Sequence, residues 1–167
     1  AREWSRPSTL VYVESRPGDT LDSIAQKILA ANIMALQDIQ RSLDLAVLEQ
    51  VVDKLLNARR VDLYAAGGAG TTARELHLKC MHLGLNANAF LDSQMQVMSA
   101  AALTASDVGI AISHTGMQRQ VAQALALARE GGATTVALTS FPGSPVGRAA
   151  DLVLSTASLA AAISYDS

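Results

Sequence analysis

The sequence predicts an α/β protein, a three-layer sandwich on a five-stranded parallel sheet preceded by N-terminal helices. Two observations lead there. From residue 60 onward short β-prone runs alternate with helical ones, the layout of βα units around a parallel sheet. Half of the residues are hydrophobic but only 4% are aromatic, so the core must be built from Ala, Val, Leu, Ile and Met, which suits helices packed on a buried sheet. With 167 residues the chain has material for one domain with a sizeable core.

Residues 1–18, with Pro7, Pro17 and Gly18, show no period and read as a linker or arm. A helical segment follows over 19–59. Thr20 or Asp19 caps a first helix, along which Ile24, Ile28, Ala35, Ile39 and Leu43 recur at about helical spacing. Asp44 reads as a fresh cap. Leu45, Leu48, Val51, Val52, Leu55 and Leu56 then form a stripe wide enough to need a partner surface, and the two helices together offer an interface for a homodimer.

The α/β domain spans 60–167. Its strands are expected at 61–65, 88–91, 108–113, 134–139 and 152–155, with helices at 71–83, 93–103 and 118–130 between the first four. Gly84, Gly131 and Gly132 stand at helix C-termini, where left-handed geometry is needed. The alanine-rich run 157–163 reads as the start of another helix. Because the chain begins without Met and stops soon after a strand, it reads as a fragment, truncated before its last helix.

Charge and cysteine content exclude several functions. A net charge of −2 and a pI near 5.9 give no basic footprint for nucleic acid, so the fragment should not grip DNA by itself. Cys80 is the only cysteine. No intrachain disulfide is possible, and a buried thiol in a reducing cytoplasm is the expected state. No uncharged apolar run approaches the roughly 18 residues of a membrane span, and no signal-peptide layout opens the chain. His77 and His82 are five apart on one helix and point to different faces, so no metal site is expected there. No cofactor is expected either. Glu75 and Lys79 should form a local ion pair, and Met95 and Met98 should pack in the core or an interface.

In an open parallel sheet, ligands bind beyond the strand C-termini where the strand order reverses, which directs attention to loops 66–71, 91–96, 113–118 and 140–148. The first contains Gly67-Gly68-Ala69-Gly70-Thr71 between strand and helix. Its backbone N–H groups either face an anion or serve a tight bend. It lacks the Gly-Lys-Ser/Thr ending of a nucleoside-triphosphate loop, and its glycines do not fit the dinucleotide pattern. In the third, Ser113-His114-Thr115-Gly116-Met117-Gln118, two hydroxyls stand two residues apart before a helix. They either wrap a phosphate or cap that helix.

Gly67-Gly68-Ala69, Ser113-His114-Thr115-Gly116, Ser144-Pro145 and Ala150-Asp151 resemble, in order and approximate spacing, the SIS (sugar isomerase) family. More narrowly, the chain resembles the effector domain of MurR/RpiR bacterial transcriptional regulators, whose third loop commonly reads Ile-Ser-His-Ser-Gly where Ile112-Ser113-His114-Thr115-Gly116 stands here. The stretch 19–36 is similar to the segment joining their DNA-binding and SIS domains. The resemblance implies a flavodoxin-like SIS fold, a homodimer, and a small-molecule ligand that is a sugar phosphate or a relative. It implies contact with operator DNA only through an N-terminal helix-turn-helix domain absent from this chain.

The ligand-binding residues it implies are Gly67, Gly68, Ala69, Gln94, Ser113, His114, Thr115, Gly116 and Gln118. Four of these depart from the family pattern: Ala69 replaces a serine, Gln94 a histidine after Asp92, Thr115 a serine and Gln118 a threonine.

An isomerase needs a base at the strand C-termini. Asp107 and Asp151 begin strands and should lie at the opposite end, leaving Asp92, Glu75 and His114, none in an acid/base pair. The reading is therefore a regulatory sensor with no catalytic residues. Two alternatives stay open. One is a small SIS isomerase such as hexulose-6-phosphate isomerase, which Met81-His82-Leu83-Gly84 resembles. The other is a dimerisation module that has lost its ligand, in view of Ala69, Gln94 and Gln118.

Overall fold

The computed structural model describes residues 18–156. The expected arm, Gly18 apart, and the expected helix at 157–163 lie outside the described residues. The chain divides into two compact units, of which the first contains helix α1 (Leu21–Ser42) and the second runs from Leu43 to Thr156.

Helix α1 starts where the sequence places a cap: Thr20 Oγ1 accepts a hydrogen bond from Ser23 N at 3.2 Å. Lys27 reaches back to Asp19 at 2.6 Å. Leu21, Ile28, Leu29, Ile33, Met34 and Leu36 are exposed along it.

The second unit opens with α2 (Leu45–Leu56), capped as expected by Asp44, whose carboxylate accepts from Ala46 N and Val47 N. The strands are β1 (Arg60–Ala65), β2 (Ala87–Phe90), β3 (Asp107–Ile112), β4 (Thr134–Thr139) and β5 (Leu152–Ser155). Between them lie α3 (Ala69–His82), α4 (Ser93–Ala100), α5 (Arg119–Glu130) and the short α6 (Pro145–Arg148). All neighbouring strands pair in parallel, in the order β2-β1-β3-β4-β5. The order reverses between β1 and β3.

Side chains alternate across the strands and so fill two cores. One face presents Val61, Leu63, Ala65, Val108, Ile110, Ile112 and Val136 to a core that also holds Val51 of α2 and Ala73 and Cys80 of α3. The other presents Tyr64, Ala111 and Ala137 to a core with Ala100 of α4, Val121, Ala124, Leu125 and Ala128 of α5, and Val146 of α6. Burial pushes the Cys80 thiol pKa up, which keeps it protonated and unreactive.

The second face also buries a polar network in the first half of β1. The Arg60 guanidinium straddles both Asp62 oxygens at 3.0 and 3.1 Å. Ser99 donates to Asp62 and lies 3.2 Å from the Tyr64 hydroxyl. The bond to Asp62 raises the Arg60 pKa, and burial raises that of Tyr64, so the guanidinium stays charged and the phenol neutral.

Asp107 and Asp151 stand at the start of β3 and before β5, away from the strand C-termini as expected. Asp107 pairs with Arg59 at 2.7 Å and accepts from Thr104 N and Oγ1. Burial opposes its charge, but the guanidinium and the Thr104 donors outweigh burial and hold the carboxyl below the usual range. Asp151 accepts from Thr135 N at 2.9 Å and Thr135 Oγ1 at 2.7 Å.

Several expectations need correction. Helix α3 starts at Ala69, because Gly67 and Gly68 turn the chain earlier than the sequence suggests. Helix α4 stops at Ala100 rather than 103, and Gln118 precedes α5 as its N-cap. Gly84 (φ +77°) and Gly132 (φ +90°) are left-handed, but Gly131 (φ −71°) is not. Crowding accounts for Gly131: a β-carbon there would lie 2.8 Å from the Leu103 carbonyl oxygen. Residues 145–148 form a helical turn where a loop was expected. Its signal was Ser144-Pro145, since Ser144 Oγ accepts from Gly147 N and proline suits the first helical position. Among the described residues, no helix is long and apolar enough to cross a membrane.

Candidate ligand-binding site

The C-termini of β1 and β3 end side by side, with Ala65 in register with Ile112. This is the reversal point of the strand order, where an open α/β sheet leaves a crevice. Two loops rise from it.

The β1–α3 loop turns on Gly67, whose φ of +59° favours glycine. Gly70 N then bonds to Gly67 O at 3.0 Å and Thr71 N to Gly68 O at 3.3 Å, closing the first turn of α3. Gly68 is the N-cap and brings no side chain to it. Ala69 is the first residue of the helix and presents a methyl group. A β-carbon on Gly67 or Gly68 would meet nothing within 4 Å, so the space in front of this helix start is open.

The β3–α5 loop is held from below. Ser113 is buried, and its hydroxyl accepts from Gly116 N at 3.0 Å. Thr115 Oγ1 accepts from Met117 N at 3.4 Å. Helix α5 begins only at Arg119, so neither hydroxyl caps it, and the capping alternative is set aside. Each hydroxyl shapes the turn by accepting, which leaves its own proton to donate elsewhere.

Gly116 (φ +65°) packs under Ser144, and its carbonyl accepts from Val146 N at 3.0 Å. The His114 carbonyl accepts from Ser140 N and Thr139 Oγ1 at 3.0 and 3.2 Å. Its exposed ring shares a hydrogen bond between Nδ1 and Ser140 Oγ at 3.0 Å and meets Phe141 edge-on at 6.1 Å. Ser140 also lies 3.1 Å from the Thr156 hydroxyl beyond β5.

Gln118 joins the two loops. Its Nε2 donates to Ala66 O at 3.2 Å, while Oε1 is buried with no protein partner. Of the nine residues predicted from sequence, Gly67, Gly68, Ala69, Ser113, His114, Thr115, Gly116 and Gln118 thus belong to two connected loops. Gln94 does not: it is exposed on the first turn of α4, lining a groove of about 400 Å³ with Ser93, Val97, Met98, Gln120 and Gln123.

The sequence reading missed Gln96. It is 1% exposed, and its Nε2 donates to Ala65 O at 2.8 Å and Phe90 O at 3.0 Å, pinning the ends of β1 and β2. Its Oε1 also lacks a protein partner. The signal was its helical spacing from Ser99 and Ala100, which marks the buried face of α4.

The three candidate bases are all engaged. Asp92 caps α4 by accepting from Gln94 N and Met95 N, Glu75 pairs with Lys79 at 3.5 Å as expected, and His114 rests on Ser140. Met95 and Met98 are not core residues, being 48% and 68% exposed.

The SIS domain family model matches residues 54–165, a span that contains the whole sheet and both loops. The chain belongs to the SIS family. This SIS chain is 38% identical over 150 residues to an uncharacterized HTH-type transcriptional regulator of Haemophilus influenzae, covering 90% of this chain and 52% of that protein. It spans about half the length of the curated relatives it matches.

Among solved structures, it is similar to the sugar isomerase domain of an RpiR transcription factor from Sphaerobacter thermophilus, with a TM-score of 0.76, 26% identity and coverage of 80% of this chain and 75% of that one. It is also similar to the Vibrio vulnificus NanR protein complexed with ManNAc-6P, with a TM-score of 0.75, 26% identity and coverage of 84% and 52%. The fold alone is shared with a Methanococcus jannaschii protein inferred to be a 3-hexulose-6-phosphate isomerase, at a TM-score of 0.64, 20% identity and coverage of 80% and 73%.

Proposed function

We propose that this SIS chain is the effector-binding and dimerisation domain of a cytoplasmic transcriptional regulator that senses a sugar phosphate or a close relative. The observation that carries the ligand assignment is the junction of the two loops at the reversal point of the sheet. There the hydroxyl protons of Ser113 and Thr115 remain to donate, beside an open, side-chain-free helix N-terminus at Gly68. The similarity to HTH-type regulators and to NanR with its sugar phosphate supports both the ligand class and the regulatory role.

A separate helix-turn-helix domain reads operator DNA, and the ligand acts by binding two geometries of the dimer unequally. Catalysis is not part of this role. The engagement of Asp92, Glu75 and His114 in caps and pairs supports a sensor over an isomerase.

The test is a thermal-shift screen against sugar phosphates, amino-sugar phosphates and their unphosphorylated forms, since a specific ligand stabilises the native state by mass action. A stabilising sugar phosphate recovered unchanged after incubation supports the sensor. Conversion of that sugar between aldose and ketose would make the chain an isomerase, and a flat screen would leave only dimerisation.

A further inference from the structure

We infer that the site selects a ligand offering a protonated oxygen to Gln118, either a hydroxyl or the P–OH of a phosphate monoanion, over an oxyanion that can only accept. The inference rests on the ligand-binding reading of the two loops. The Ala66 carbonyl can only accept, so the Gln118 amide must turn its Nε2 toward it, at 3.2 Å. That fixes Oε1 on the other side, buried and without a protein partner. A buried acceptor left unpaired is costly, and a ligand that donates to it removes the cost. A fully ionised phosphate would instead set its lone pairs against those of Oε1.

Ser113 and Thr115 supply the complementary half, because both hydroxyls accept from the backbone and keep a proton to donate. Two donors and one acceptor match a group that accepts twice and donates once. The local charge agrees with this. Residues 66–73 carry no charged side chain, and 113–118 carry only His114. On the surrounding elements the nearest in sequence are Arg74 of α3, Asp92 at the α4 N-cap, Arg119 of α5 and Arg148 at the end of α6, whose guanidinium is turned onto the Gly143 carbonyl.

The experiment compares binding of glucose 6-phosphate with glucose 6-sulfate, and inorganic phosphate with sulfate, to the full chain by calorimetry at about pH 5.5 and 8. A phosphate monoester has a second pKa of about 6, whereas the sulfate ester stays deprotonated. The phosphate forms should bind about tenfold more tightly than the sulfate forms at the lower pH, with the ratio shrinking at the higher one. Gln118→Thr, whose hydroxyl can donate, should flatten the ratio. Glucose alone binding to the wild type and lost in Gln118→Thr would identify the donor as a hydroxyl. Phosphate and sulfate forms binding equally at both pH values would overturn the inference while sparing the ligand site. Failure of every probe to bind would overturn both.

Discussion

Gly116 and Ser144 touch so closely that residue 116 has no room for a side chain: a β-carbon on Gly116 would lie 1.8 Å from Ser144 Oγ. Gly116 also holds φ +65°, which costs other residues roughly 1–2 kcal/mol. Gly116→Ala should therefore lose about 3 kcal/mol of stability in urea denaturation and displace the β3–α5 loop. Adding Ser144→Gly should recover the part due to crowding and leave the part due to φ. A double variant no better than the single one would show that backbone strain alone sets the cost.

Ser113→Ala removes both the acceptor for Gly116 N and a donor to ligand. It should weaken ligand binding by about 1–2 kcal/mol and stability by about 1 kcal/mol. Calorimetry and denaturation measured on the same protein separate the two. Unchanged affinity would remove Ser113 from the ligand site.

Much of this arrangement was legible in the sequence, and the exceptions have physical causes. Alternating β-prone and helical runs placed all five strands to within about a residue at either end, because polar or small residues bound them everywhere except after β2, where Leu91 follows Phe90 and the expected strand ran one residue too far. Asp44 announced α2, and the hydroxyls of Ser113 and Thr115 marked the loop to which the ligand is proposed to bind. Helix α6 was not seen because four residues show no helical period, and of the two places expected for Met95 and Met98 the core is excluded, because spacing alone does not tell a buried face from an exposed one. Gln96 and Gln118 act through particular amide atoms on backbone carbonyls of distant residues, and no local pattern records such a pairing.

Asp107 should govern part of the acid sensitivity. Its carboxyl is held below the usual range, so its stabilisation is present above the ordinary carboxyl pKa of about 3.9 and is lost as pH falls through the lower folded value. Asp107→Asn should cost about 2 kcal/mol at neutral pH, and the gap to wild type should close in acid. Denaturation curves at about pH 7 and pH 2.5 measure it. A gap that persists at the lower pH would mean that packing, not charge, is what the substitution disturbs.

The stripe of Leu29, Ile33 and Leu36 on α1, each more than half exposed, calls for a partner. Sedimentation at micromolar concentration should give twice the chain mass, and Ile33→Glu should shift the species toward monomer. A wild-type monomer would refute dimerisation through this helix.

The second core is lined with alanine on both sides, Ala111 and Ala137 from the sheet and Ala124 and Ala128 from α5. Even Gly109 beneath it has little room, since a β-carbon there would come within 3.4 Å of Ala128 Cβ. With Val121 and Leu125 of α5 and Tyr64 of the sheet packed in the same core, these methyl contacts leave no slack between α5 and the sheet, and the head of that helix carries Gln118. A larger residue in the layer would tilt the whole rod and move the unpartnered amide oxygen of Gln118. Ala124→Val should thus change ligand preference from a position that touches no ligand, which calorimetry would reveal as an affinity loss beyond the loss of stability. A change in what the two loops bind can begin in the interior of the domain.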